Sequence, residues 1–226
     1  MALDALCMAA LVRELRSALL GGKVDRVNQP GRYEIVLTLH TYKGNERLLL
    51  SAEPGQARAQ ITYVNRENPA QPPVFCMLLR KHLSAGRLVD IVQSPGDRLL
   101  RFSFDAQNEL GDTVARHLIL EAMGSHTNLI LTDEEDRVIA CTRRVEGDLA
   151  ADKPGVMPGL FYRPPQPRPG VPPLIRRELE FRTRDPETGA AELLADIEVG
   201  NYTPTMLVED GRPKAVSFLP ILQYGP

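Results

Sequence analysis

The chain of 226 residues has three cysteines, a formal net charge of only -2, and no apolar run near the ~20 residues that a membrane-spanning helix needs. Cys7, Cys76 and Cys141 are odd in number and widely spaced, so no disulfide framework is implied. They read as buried thiols of a reducing compartment. A balance so close to neutral excludes a molecule coated in basic charge, and any nucleic-acid contact must come from a local patch. The four histidines show no ligand spacing and no CxxC occurs, which argues against a zinc site; no metal is expected. The phosphate loop GxxxxGK[ST] and the nucleophile turn GxSxG are also missing, and no catalytic set stands out. No cofactor is expected.

What is present is ordinary for a soluble domain: 43% hydrophobic and 25% charged residues, enough to bury a real core. The opening segment ALDALCMAALVRELRSALL lacks the basic start of a signal peptide and carries Asp4, Arg13, Glu14 and Arg16. It predicts an amphipathic helix capped by Asp4 and stopped at Gly21-Gly22. Short alternating runs follow: KVDRVNQ, YEIVLTLHT, ERLLLSA and QITYV, then RLVDIVQ, RLLRFSF, RHLILEAM, NLILTD and RVIACTRRV. Between the two series lies PPVFCMLLRKHL, whose Phe75, Leu78, Leu79 and Leu83 recur at helical spacing behind a double proline. The expected class is α+β: a mostly antiparallel β-sandwich or partly open barrel with two covering helices.

Residues 1–153 are expected to form the core domain. Prolines crowd residues 154–173, which read as an extended connector. Residues 174–226 offer two short helices and closing strands, too little for a second large core and expected to pack back on the first.

Three places carry candidate chemistry. Arg80, Lys81 and His82 are consecutive donors on the second helix, a cluster that fits phosphate better than carbohydrate or lipid; alone it reads equally as the solvated edge of a core helix. Asp97-Arg98 follows the turn Ser94-Pro95-Gly96 and alone reads as a surface hairpin with a local ion pair, worth about 0–1 kcal/mol. EAMGSHTNLIL puts Glu121, Gly124 and Asn128 around a turn between two strands, which a plain hairpin explains.

Taken in order, the first helix, LLLSAEPGQARAQIT, FCMLLRKHL, Asp97-Arg98, LGD at Leu110 to Asp112, and EAMGSHTNLIL make a series that resembles the N-terminal (NFACT-N) domain of the family holding RqcH, NEMF and fibronectin-binding protein A. The resemblance runs over residues 1–162, with a weaker echo over 202–225. It implies a fold similar to the N-terminal domain of formamidopyrimidine DNA glycosylases. It further implies a cytoplasmic module that binds tRNA and a 50S ribosomal subunit carrying an obstructed peptidyl-tRNA, and that promotes C-terminal alanine tailing of the stalled chain. Such a module positions tRNA and is no enzyme; the peptide-bond chemistry is the ribosome's. Neither membrane nor DNA is an expected partner.

The same resemblance assigns Asp4, Asp97 and Arg98 to tRNA; with RNA as the partner, Arg80, Lys81 and His82 are expected second as phosphate contacts, and Glu121, Gly124 and Asn128 as supporting residues. Arginine suits the task because its planar fork makes paired hydrogen bonds. Ser125 departs from the family, which more often has a basic residue there. Family members also carry a helix-hairpin-helix module and a coiled coil beyond the proline stretch; here these read as abbreviated or absent, as in a piece of a longer protein or a short relative. Two other classes compete. A surface adhesin is suggested by the family's older name. A glycosylase-like nucleic-acid binder is suggested by the fold, but that enzyme's N-terminal proline followed by glutamate has no counterpart in Met-Ala-Leu-Asp.

Overall fold

The computed structural model describes residues 3–123, 127–147, 155–166 and 170–224. Helix α1 (Ala5–Leu19) begins where the Asp4 side chain accepts a hydrogen bond from the Cys7 amide at 2.7 Å. It ends at Gly21 and Gly22; a Cβ on Gly22 would sit 2.9 Å from the Leu19 carbonyl oxygen, so the sharp exit needs glycine there. The alternating segments then form β1 (Lys23–Gly31), β2 (Glu34–Thr41), β3 (Gly44–Ser51) and β4 (Arg58–Ile61). After α2 (Val74–Leu83) come β5 (Arg87–Gln93), β6 (Leu99–Gln107), β7 (Thr113–Glu121), β8 (Asn128–Thr132) and β9 (Val138–Cys141).

All nine strands belong to one antiparallel sheet ordered β4-β3-β2-β1-β5-β6-β7-β8-β9. The mostly antiparallel sheet with covering helices is as expected; the sheet is open and no closed barrel, since among the described residues its end strands β4 and β9 do not pair. Its two halves meet at a single register pair, Lys23 with Arg87, beside the exit from α1. Helix α1 packs on β2, β4 and β5 and α2 on β1, β6 and β9, so both helices reach from one half of the sheet to the other. Leu37, Leu48, Phe102, Phe104, Leu118 and Leu131 are among the sheet residues buried against Met8, Leu15 and Leu19 of α1 and Leu79 and Leu83 of α2.

The two faces of the β6–β9 half differ from those of a simple one-sided sheet. All five residues of β8 are buried, because Ile130 and Ile119 on the far face pack with Val138, Val156 and Tyr162. Val156 and Phe161 form bridges to Val145 and Arg137, so part of the proline-rich stretch lies as a cover on the sheet.

The remaining segments form α3 (Pro173–Phe181), α4 (Pro186–Val199), the hairpin β10 (Thr205–Glu209) and β11 (Arg212–Ser217), and a 3-10 turn (Leu222–Tyr224). Ile175, Leu179, Ile197, Phe218, Leu219 and Ile221 make a second core with Leu6, Cys7 and Ala10, on a second face of α1. Polar contacts lock the arrangement: Arg13 donates to the Glu198 carbonyl at 3.1 Å, placing a cation at the α4 C-terminus. Among the described residues, no helix is long and apolar enough to cross a membrane.

Within the second core, the fully buried Glu178 carboxylate accepts from the amides of Leu222 and Gln223 at 3.0 and 3.1 Å and from Arg182 at 2.7 Å. Burial pushes this carboxyl up, but those donors outweigh it and the net shift is downward. A group depressed in the folded state stabilises above its unfolded pKa, and that contribution is lost as pH falls through the folded value. Glu178→Ala is expected to lower unfolding free energy by about 2–4 kcal/mol, because two amides and a guanidinium lose their acceptor. Urea denaturation at pH 7 measures it, and the variant's deficit should shrink as the pH is lowered.

Candidate nucleic-acid interface

The turn between β5 and β6 presents Asp97-Arg98 at one end of the sheet. Asp97 is buried, and its Oδ1 accepts the Arg98 amide at 2.7 Å, so this carboxylate shapes the turn. Gln93 ties the turn to the first helix: its side-chain amide donates to the Asp97 carbonyl at 2.7 Å and to the Ala5 carbonyl at 2.8 Å. The α1 N-terminus is thereby held beside Arg98. Burial raises the Asp4 carboxyl above its usual range, against the pull of the Cys7 and Leu6 amides and the Arg98 charge. Arg98 itself is half-buried, and its guanidinium makes no hydrogen bond or ion pair among the described residues.

Glu121, at the end of β7, pairs in register with Leu99 and with Asn128. It is buried and accepts from the Tyr162 hydroxyl at 2.8 Å. Burial, with Asp97 close by, pushes the Glu121 carboxyl up to about 7 although the Tyr162 hydroxyl pulls the other way. Desolvation and the nearby carboxylate push the Tyr162 hydroxyl up as well. Asp4 therefore lies beside the Arg98 charge, while Glu121 and Tyr162 lie close to Asp97.

Asn128 has a different task. Its Oδ1 accepts from the Arg143 amide and the Thr142 hydroxyl, both at 3.0 Å, and its Nδ2 donates to the Arg143 carbonyl at 2.8 Å. With these three bonds it pins the segment after β9 to β8. Gly124 lies outside the described residues.

The Arg80, Lys81 and His82 cluster does not form one phosphate-facing surface. Consecutive helical residues point ~100° apart, and here each goes its own way. Arg80 donates to the Val27 carbonyl at 2.9 Å, while Lys81 pairs with Glu109 at 2.7 Å. Burial, then the charges of Arg116 and Lys81, push the His82 ring down and favour its neutral form. Glu109 follows β6 whereas Arg98 precedes it, so nine strand residues, about 30 Å, separate the two ends. Lys81 and the Asp97-Arg98 turn therefore stand at opposite ends of β6.

Sequence reasoning passed over Gln93, Tyr162 and Arg143. Tyr162 lies 41 residues from its partner Glu121, and no local pattern connects them. Gln93 sits in a strand run where its amide looks like any solvated polar position.

An open antiparallel sheet, two helices in its core, and a turn-borne arginine among buried carboxyl groups define an α+β domain whose candidate site is a recognition surface at the sheet end. The chain belongs to the family described as NFACT N-terminal and middle domains, which matches residues 4–195. It is similar to the N-terminal part of the fibronectin/fibrinogen-binding protein of Streptococcus suis, with TM-score 0.79 and 28% identity over 98% of this chain and 91% of that one. The fibrinogen-binding protein of Staphylococcus aureus aligns with TM-score 0.80 and 27% identity over 99% and 92%. RqcH of Bacillus subtilis is 35% identical over 188 residues, 80% of this chain and 33% of that protein. The human ribosome quality control complex subunit NEMF is 33% identical over 128 residues, 57% and 11%. The chain spans about a third of the length of the bacterial relatives it matches.

A carboxyl whose folded pKa lies above its unfolded value favours the fold at low pH, and that contribution is lost as pH rises through the folded pKa. For Glu121 the window is from about 4.5 to about 7. Side-chain NMR should show the Glu121 carboxyl titrating near 7, and Tyr162→Phe should move it higher by removing the donor to the carboxylate. Glu121→Gln should flatten the stability loss across that window, on the order of 2–3 kcal/mol. A Glu121 titration near 4.5 would contradict the buried site described here.

Proposed function

We propose that this chain is the tRNA- and large-ribosomal-subunit-binding module of a ribosome-associated quality-control factor, one that promotes C-terminal alanine tailing of stalled nascent chains. The observation that carries the reading is the Arg98 guanidinium: half-exposed, without a protein partner among the described residues, and set on a turn that Asp97 and Gln93 hold rigid. A preorganised planar donor of this kind suits a phosphate or a base edge. Asp97 sets its backbone through the Arg98 amide, and Asp4 adds a negative charge that steers the guanidinium or accepts from a nucleobase. RqcH and NEMF, named for ribosome quality control, support the same assignment. The module acts in the cytoplasm, binds rather than catalyses, and leaves peptide-bond formation to the ribosome.

A second reading, binding of an extracellular matrix protein, draws on the names of the structural neighbours. Surface-immobilised fibronectin and fibrinogen, tested with the purified chain against an unrelated domain of equal charge, discriminate it.

RNA recovered with the tagged protein from cells, sequenced beside Arg98→Ala and Asp97→Asn, tests the first reading. Arg98→Ala should reduce tRNA recovery about tenfold or more, as expected for one lost charge-assisted contact, while large-subunit RNA persists. Asp97→Asn keeps an acceptor for the Arg98 amide and should have a smaller effect. Recovery of tRNA no higher than from a mock purification sinks the proposal.

A further inference from the structure

Strand β5 leads into the Asp97-Arg98 turn, and after the Lys23–Arg87 pair one of its edges has no neighbouring strand. Helix α1 lies along that edge and supplies the bonds a strand would. The Gly21 amide donates to the Leu88 carbonyl at 2.8 Å, the Arg16 guanidinium donates to the Ile91 carbonyl at 2.7 Å, and the Ala5 carbonyl accepts from the Gln93 side chain at 2.8 Å. Arg16 also pairs with Asp90, whose Oδ1 accepts the Ile91 amide at 2.9 Å. The edge groups of Ile91 are thus satisfied by side chains, and the cation among them comes from α1.

The other half of the sheet repeats the device. The shift along the chain that carries Lys23 onto Arg87 also carries Leu15, Arg16 and Leu19 of α1 onto Leu79, Arg80 and Leu83 of α2. The hydrogen bonds at the junction obey the same shift. The Val24 amide donates to the Gly86 carbonyl at 2.8 Å and the Leu88 amide to the Gly22 carbonyl at 2.9 Å, while the Gly21 bond to Leu88 is answered by Ala85 donating to Val24 at 3.0 Å. Arg80 reaches the Val27 carbonyl at 2.9 Å as Arg16 reaches that of Ile91. Asp25 and Val89 are both skipped in the register of their hairpins, and Gln29 donates to the Arg32 carbonyl at 3.0 Å as Gln93 does to that of Asp97. Such reciprocity is that of a two-fold axis through the Lys23–Arg87 pair, relating α1 to β4 with α2 to β8, each helix serving the first strand of the other unit. A contact present at both equivalent places is built into the unit and is no chance pairing of exposed groups.

We propose that Arg16 is a positioning residue for the recognition turn: from α1 it holds β5 at Ile91, just before Gln93, and so fixes where the Arg98 guanidinium is presented. Its consequence for binding rests on the tRNA-binding reading above. The two units differ where the axis relates them. The Ala52 amide donates to the Tyr33 carbonyl at 2.8 Å and the Ala122 amide to the Arg98 carbonyl at 2.9 Å, so Arg32 and Tyr33 stand in the first unit where Asp97 and Arg98 stand in the second. The carboxyl-arginine turn belongs to the second unit, and the groups that brace it, on Arg16 and Ala5, come from the first.

Native-state amide exchange of the whole chain and titration with labelled deacylated tRNA test it, using Arg16→Ala and Arg80→Ala, each checked by thermal melting. Arg16 is half-exposed, so its truncation leaves the chain folded. Arg16→Ala should speed exchange from Ile91 to Arg98 about tenfold while β2 and β3 exchange as in the parent. It should also weaken tRNA binding about fivefold or more, as expected when a charge-assisted bond that holds the turn is lost. Arg80→Ala should instead speed exchange from Val27 to Tyr33 and leave Ile91 to Arg98 at parental rates. Equal acceleration across the whole sheet in Arg16→Ala, or parental exchange from Ile91 to Arg98, overturns the proposal. Parental tRNA affinity of Arg16→Ala where Arg98→Ala loses tRNA overturns it too, and the tRNA reading then stands. If the parent chain binds no tRNA, that reading falls, and the exchange rates alone uphold or overturn the positioning of the turn.

Discussion

Helix α1 is buried on two faces, and that double burial positions everything at the candidate site. Met8, Val12, Leu15 and Leu19 face the sheet core, while Leu6, Cys7 and Ala10 face the second core built by α3, α4 and the closing segments. Each large apolar side chain contributes about 1.5–3 kcal/mol when fully buried, against about 0.5–1.5 kcal/mol for a typical net hydrogen bond. Packing therefore sets the rotation and axial position of α1, and polar bonds adjust its end. Gln93 and the Asp4 cap act on a helix already held in place. The result is a carboxylate fixed beside a turn that belongs to the middle of a different part of the chain.

The same burial shapes the electrostatics. Asp4 and Glu121 are both withdrawn from water, and withdrawing a charge disfavours it. Asp4 is partly offset by helix amides and the Arg98 charge, and Glu121 by a tyrosine hydroxyl. For Glu121 burial outweighs that single donor, and its carboxyl is pushed up to about 7.

Much of the fold was legible in the sequence because antiparallel strands with one face inward leave a period of two, plain in runs such as RLLRFSF, although bulges in β1 and β5 interrupt it there. The first helix and its Asp4 cap were equally plain. The openness of the sheet was not, since strand order depends on long-range pairing, and the single bridge between Lys23 and Arg87 has no local signature. Asp97-Arg98 was recognisable as a turn with chemistry on it. Arg80, Lys81 and His82 are neighbours in sequence that diverge around a helix, where Arg80 meets the Val27 carbonyl, Lys81 meets Glu109 and His82 is partly buried. Tyr162 was hidden inside a stretch whose prolines suggested a plain connector, yet that stretch covers the outer face of β6–β8 and supplies the hydroxyl at Glu121.

With a net charge of -2, the chain's overall field offers little long-range attraction to any polyanion. If the chain binds tRNA as proposed, affinity rests on local geometry: a half-exposed guanidinium on a turn that Asp97 and Gln93 hold, beside the Asp4 carboxyl at the start of α1. A negative group so close to the donor penalises an anion that approaches from that side, so the arrangement of charge at this end of the sheet, more than its sum, sets what such a site accepts.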